Sequence, residues 1–251
     1  ALKMFNFNTH FLVETIIHEV PLSEFALSLH EGEAEDTAKN IKLFCAKPIL
    51  AYSIEAALSS RCFDRVIVST DTPEISDVAK KYGAEVPFIR PAELAGAHCG
   101  IASAVNHALR WLIENGPTPE YACLLLATAP FVQPETLRNA LALLEENPSK
   151  LYCFGVAAFK APIQRAFKIS QNGAIEMFHP EHFETRSQDL EPAYHDAAQF
   201  CWGRTDAFLT NPPVFSEHSI PYILPAHQVQ DIDTQEDWDM AEKMYRIGRE
   251  A

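Results

Sequence analysis

Tyr121 to Ala127 is an unbroken apolar run, flanked by segments whose apolar residues recur at helical spacing. A strand that is apolar on both faces needs cover on both, as in a parallel sheet layered between helices. The same alternation runs from residue 39 to the end of the chain. Leu50, Ile54, Ala57 and Leu58 mark a helix, and Arg65 to Ser69 is a short β-branched strand. Asp71 to Tyr82 reads as a helix with Pro73 near its start and Gly83 just past its end. Val86 to Ile89 is predicted as a brief strand. Residues 101 to 114 form an amphipathic helix, closed by Asn115-Gly-Pro117. Pro134 opens a helix to Glu146, and Leu151 to Phe159 is strand again. Between 160 and 200 the rhythm breaks at Pro162, Asn172-Gly173 and Pro180, which predicts a hairpin and a flap inserted into the sheet. Ser219 to Leu224 returns to strand, and a last helix runs from Thr234 to Ile247 with Gly248 just past its end. The expected class is α/β, a doubly wound, mostly parallel sheet covered by helices.

A chain of 251 residues fits one generous domain, and 47% hydrophobic residues supply a core. No apolar run approaches the roughly 20 residues that span a bilayer, and no basic, cleavable leader opens the sequence. Lys and Arg total 20 against 34 Asp and Glu, a formal charge of −14. Such a surface repels nucleic acid and anionic membrane, so neither is an expected partner. A phosphate ligand would need a metal ion or a local basic cluster. The six cysteines, at 45, 62, 99, 123, 153 and 201, form no CxxC pair and read as reduced core thiols of a cytoplasmic protein.

The sharpest local signal is Val229-Gln-Asp-Ile-Asp-Thr-Gln-Glu-Asp-Trp238. In extended chain Asp231 and Asp233 share one side, about 6–7 Å apart. That arrangement suits Mg²⁺ (or Mn²⁺), which takes a few carboxylates together with phosphate oxygens and water. It equally suits a solvated loop, with Thr234 capping the next helix and Glu236 and Asp237 complementing its dipole. Lys39 can hold a phosphate and Asn40 can pair with a base edge, or the two make a surface turn. Ser69, Thr70 and Asp71 end a predicted central strand, where open α/β sheets place their ligands and where Thr70 or Asp71 can equally cap the next helix; Arg90 follows the next strand, as an anion clamp or as a purely structural residue. Arg186 and Gln188, on one side of an extended segment, can hold a carboxylated, hydroxyl-rich ligand. His195 and Asp196 are adjacent, hence on opposite faces of any strand, and make no catalytic dyad. The GxSxG, HExxH, Walker and GxGxxG fingerprints are absent.

Six segments, Lys39–Pro48, Phe63–Asp71, Tyr82–Leu94, Ala127–Phe131, Thr185–Leu190 and Val229–Thr234, occur in one register. Together they resemble the CMP-sialate synthetases, most closely the bacterial pseudaminic acid cytidylyltransferases, over residues 39 to 247. The resemblance implies a Rossmann-like, three-layer nucleotide-diphospho-sugar transferase fold, a cytoplasmic homodimer, CTP and Mg²⁺. It implies transfer of CMP to the anomeric hydroxyl of a nonulosonic acid, pseudaminic acid above the N-acetylneuraminate and legionaminate alternatives. Asp231 and Asp233 then resemble the metal pair, and Lys39 and Asn40 the phosphate and cytosine contacts. Ser69, Thr70, Asp71 and Arg90 resemble the lining of the CTP pocket, and Arg186 and Gln188 the sugar side. Lys39, Asp231 and Asp233 are the expected catalytic residues.

The sequence departs from that pattern twice. The family's first strand ends in a basic loop, Ala-Arg-Gly-Gly-Ser-Lys-Arg, which should fall on Leu29-His-Glu-Gly-Glu-Ala-Glu35; only Gly32 matches. An acidic loop there repels a triphosphate, and an inactive binding or dimerisation homologue is the rival reading from another class. The genetic code allows Pro-Ala-Arg-Gly-Gly-Ser when the codons from Ser28 onward are read one frame away. Residues 1–38, without a convincing strand–turn–helix start, are therefore expected to be an atypical, frame-shifted segment ahead of a cytidylyltransferase domain at 39–251. The second departure is Ala95-Gly-Ala-His-Cys-Gly100, where relatives carry an Asp pair.

Overall fold

The computed structural model describes residues 14–17, 24–29, 39–94 and 100–250, with side chains from residues 39–94 and 100–248. Seven strands form the main sheet. They are β1 (Glu14–Ile17), β2 (Glu24–Leu29), β5 (Arg65–Ser69), β6 (Tyr121–Leu125), β7 (Tyr152–Ala158), β10 (Tyr194–Arg204) and β11 (Ser219–Ile223), in the order β1-β5-β2-β6-β10-β7-β11. Two small ribbons stand apart, β3 (Leu43–Phe44) with β4 (Lys47–Pro48) and β8 (Phe167–Ile169) with β9 (Ile175–Met177). The helices are α1 (Ile49–Ser60), α2 (Pro73–Lys81), α3 (Ile101–Asn115), α4 (Pro134–Glu145), α5 (Thr205–Thr210) and α6 (Gln235–Glu250).

The central pairings are parallel: β2 lies between β5 and β6 and runs with both, and β11 runs with β7. β1 is antiparallel to β5, and β10 is antiparallel to both β6 and β7, so the sheet is mixed. Trp202 on β10 buries its indole against Phe63, rings stacked 4.7 Å apart, and donates to the Leu137 carbonyl of α4. α1 and α4 pack on each other on that face. On the opposite face Asn106 of α3 donates to the Phe208 carbonyl of α5. Three layers result. At Gly203 the packing is tight: a Cβ there would stand 2.6 Å from Phe208 and 2.7 Å from Tyr152.

The structure corrects several expectations. β1 and β2 lie within the first 38 residues, and β2 takes a central position in the sheet. Val86–Ile89 forms no strand; Pro87 lacks an N–H, and only one bridge, Ile67 to Glu85, joins this segment to β5. The inserted flap ends before Tyr194, because β10 is a long internal strand. Gly248 lies inside α6 rather than beyond it. The hairpin does form, β8 and β9 flanking a turn with Gly173 at φ +83°. The expected basic-loop position from His30 onward and the departure at 95–99 lie outside the described residues, as does Cys99. Cys123, Cys153 and Cys201 are buried free thiols, and burial pushes the Cys153 thiol up to about 12.

Candidate active site

Asp231, Ile232 and Asp233 alternate as the spacing requires: the two carboxylates face solvent and Ile232 is 1% exposed. Ile232 belongs to a second apolar cluster with Phe44, Ile49, Tyr52, Phe131, Trp238 and Ala241. Phe44 is its hub, meeting Tyr52, Trp238 and Tyr245 edge-on at 5.4–5.6 Å. The acidic pair is thus pinned through the residue between its members.

A second restraint comes from the helix that follows. Asp237 Oδ2 accepts from the Thr234 hydroxyl (2.7 Å), the Thr234 N–H (2.9 Å) and the Asp233 N–H (3.3 Å), and the Asp237 N–H donates back to Thr234 Oγ1. This reciprocal cap starts α6 and ties down the loop that carries Asp231 and Asp233. The hydroxyl and backbone donors hold the Asp237 carboxyl below the usual range.

The Lys39 ammonium exerts a small influence that favours the ionised forms of both Asp231 and Asp237. Three residues on, Lys42 donates to Gln235 Oε1 at 2.7 Å and lies 4.3 Å above the Trp238 ring. The Cys45 N–H donates to Glu242 Oε1, also at 2.7 Å. Residues 39–45 and 231–242 therefore form one unit although nearly two hundred residues separate them. Asn40 beside Lys39 is buried, 2% exposed.

Desolvation first, and then the charge of Asp233, raises the Asp231 carboxyl to about 6, although solvent still reaches the side chain. Two carboxylates that repel each other across a short extended segment are a donor set that fits a hard divalent cation. Among the described residues no group of three or more His, Cys, Asp or Glu side chains is placed to hold a metal ion.

Ser69 is the last residue of β5, Thr70 and Asp71 follow it, and the Arg90 N–H donates to the Thr70 carbonyl at 2.9 Å. The Arg90 guanidinium approaches Asp71 at 3.5 Å with no solvent exposure, so in this state it braces Asp71 from beneath. Arg186 and Gln188 sit on the inserted arm. They do not share a side of an extended strand: Ser187–Asp189 is a 3₁₀ turn closed by Asp189 N–H to the Arg186 carbonyl. Arg186, 71% exposed, pairs with Asp189 at 2.7 Å.

The residues that spacing did not single out lie on β10. Its pairing with β7 shifts between Asp196 and Cys201, and Ala198 has φ +49°. This bulge brings Asp196 and Gln199 to the wall of a cavity of about 280 Å³ between α3 and the sheet. Gln199 donates to the Gln228 carbonyl, three residues ahead of Asp231. His195 keeps to its own side, with Nδ1 against the Asp196 carbonyl and its ring against Phe159.

A family model described as cytidylyltransferase matches residues 37–243. A pseudaminic acid cytidylyltransferase of Campylobacter jejuni is 40% identical over 88% of this chain and 94% of its own length. A CMP-N,N'-diacetyllegionaminic acid synthase of Legionella pneumophila is 30% identical over the same shares. Among solved structures, a CMP:2-keto-3-deoxy-manno-octonic acid synthetase superposes with a TM-score of 0.63 at 13% identity, covering 88% of this chain and 95% of its own.

Proposed function

Because the chain belongs to the cytidylyltransferase family, we propose that it transfers CMP from CTP to the anomeric hydroxyl of a nonulosonic acid, pseudaminic acid in particular, and releases pyrophosphate. The observation that carries this reading is the union of residues 39–45 with α6 beside Asp231 and Asp233, tied by Lys42 to Gln235, by Cys45 to Glu242 and by the Thr234–Asp237 cap. It gives a strongly acidic protein a place where the Lys39 ammonium and a pair of carboxylates suited to a cation can meet a triphosphate.

Attack of a hydroxyl on the α-phosphate demands in-line positioning and charge neutralisation more than covalent chemistry. Asp231 and Asp233 would hold Mg²⁺ or Mn²⁺, which when bound offsets the charge of the triphosphate and leaving pyrophosphate. Lys39 contributes a point charge to the phosphates. Asn40 reads the cytosine edge, and Ser69, Thr70, Asp71 and Arg90 form the shoulder of the nucleotide pocket. Arg186 and Gln188 face the sugar acid. The arm that carries them exposes Phe167, Ile169, Ile175 and Phe183, each more than half accessible, a surface that a second copy of the chain would cover in a homodimer. No helix among the described residues is long and apolar enough to cross a membrane, and a substrate such as CTP places the reaction in the cytoplasm.

The acidic stretch at Glu31 to Asp36 supports one qualification: CTP binds weakly, because the basic loop is replaced. Residues 1–38 are read as a shifted-frame segment in which β2 fills the place of the first strand. Two experiments test this. CTP with Mg²⁺ should raise the melting temperature, since a ligand of the native state must stabilise it; no rise at millimolar CTP refutes nucleotide binding. The codons at 29 to 35 must also spell the basic loop in the shifted frame, or that part of the reading fails.

A further inference from the structure

The Asp196 carboxylate has one oxygen committed and one free. Oδ1 accepts the Ala198 N–H at 2.9 Å, the bond that fixes the bulge, and Oδ2 makes no hydrogen bond among the described residues. Solvent reaches this side chain, which stands on the wall of the cavity between α3 and the sheet. Gln199 and Asn211 are further polar side chains on that wall, and most of the remainder is apolar, with Ala102 and Val105 from α3 and Leu124, Phe154 and Phe208 from the sheet and α5. Gln199, on the same bulge and the same wall, donates to the Gln228 carbonyl and so ties this part of β10 to the loop that carries Asp231. A free carboxylate oxygen beside a largely apolar chamber, on a bulge tied to the loop of the acidic pair, reads a hydrogen-bond donor attached to a small apolar group. It repels a carboxylate or phosphate.

We propose that Asp196 is a specificity-determining residue for the sugar: Oδ2 accepts the amide N–H of an acylamido substituent whose acyl carbons enter the cavity. The inference rests on the reading of the substrate as a nonulosonic acid and adds which of its substituents is read, and by what. A polyhydroxylated acid without acylamido groups would leave the apolar wall with nothing to bury. Asparagine cannot replace the carboxylate, because its single acceptor must serve either the Ala198 N–H or the ligand N–H and its NH₂ then opposes the other donor.

The test is titration of the chain, with CTP and Mg²⁺ held constant, by three acids: pseudaminic acid, N-acetylneuraminic acid and 2-keto-3-deoxy-manno-octonic acid, which has no acylamido group. Saturation transfer to the acyl methyl protons is followed alongside. The wild-type chain should bind the acylated acids at least tenfold more tightly than the third acid, with the acyl methyl the most strongly saturated group. Asp196→Asn should remove that preference and leave CTP affinity within twofold. Ala102→Leu, a helix-compatible change that fills the cavity from α3, should weaken the acylated acids without touching Asp196. Unchanged preference in both variants overturns the proposal. So does a parallel loss of CTP affinity in Asp196→Asn, which would move the residue to the nucleotide half. Wild-type binding of all three acids without preference defeats this inference alone, whereas binding of none defeats the reading of the substrate as well.

Discussion

Asp231→Asn should make the ligand-free protein more stable while removing its response to metal. The folded-state carboxyl is raised from 3.8 to about 6, so the ionised form is disfavoured in the native state. A carboxyl raised on folding adds stability that is fully present below its unfolded value, near pH 4, and is lost as pH rises through about 6. At pH 7.5 wild type bears this cost and the amide does not. Taken whole, the shift would correspond to about 3 kcal/mol at 1.36 kcal/mol per pH unit. Solvent reaches Asp231 and screens it, so about 1 kcal/mol is the reasonable expectation. For a domain of this size that raises the melting temperature by about 2–4 °C. The assay is thermal unfolding of both proteins at pH 7.5 and pH 3.5, with and without CTP and Mg²⁺. Asn should win at pH 7.5 without ligand, lose that advantage at pH 3.5, and gain nothing from CTP with Mg²⁺, where wild type is stabilised. A variant less stable than wild type at pH 7.5 would show that Asp231 serves the fold, and undiminished CTP–Mg²⁺ stabilisation would remove it from the metal site.

Asp237→Ala should cost about 1–2 kcal/mol by unmaking the cap of α6, and should raise the Mg²⁺ concentration needed for half-maximal CTP stabilisation; stability lost with metal dependence unchanged would confine Asp237 to the helix. Arg186→Ala should weaken the sugar acid at least tenfold with CTP affinity unaltered, and a raised CTP constant instead would place Arg186 in the nucleotide half. Gly203→Val should destabilise the chain by several kcal/mol, since its side chain meets Tyr152 and Phe208 in a packed core; an unchanged denaturant midpoint would refute the close packing there.

The strands at 65–69 and 121–125 were legible because burial on both faces writes a continuous apolar run. The helix at 73–81 was legible because Pro73 and Gly83 bracket it. Asp231 and Asp233 were legible because extended chain imposes a period of two, and burial of Ile232 confirms that register. Periodicity failed wherever the backbone leaves its regular course. β10 carries a bulge at 196–201, which breaks the alternation that would have announced an eleven-residue strand. Arg186 and Gln188 were assigned by a period of two in a segment that turns as a 3₁₀ helix. Gly248 reads as a stop signal, yet α6 continues through it. Two features needed three dimensions: the full burial of Arg90 against Asp71, and the union of residues 39–45 with α6 through Lys42, Trp238 and Glu242. The distant contact has no local signature, since neither lysine nor tryptophan announces its partner.

The most direct test of the central claim follows phosphorus. The chain as it stands, and a version with Ala-Arg-Gly-Gly-Ser-Lys-Arg at 29–35, are incubated with CTP, Mg²⁺ and pseudaminic acid and observed by phosphorus NMR. Both should yield pyrophosphate and a CMP–sugar phosphodiester in equal amounts, the basic-loop version at least tenfold faster. Absence of the phosphodiester from both, with CTP intact, would contradict the account.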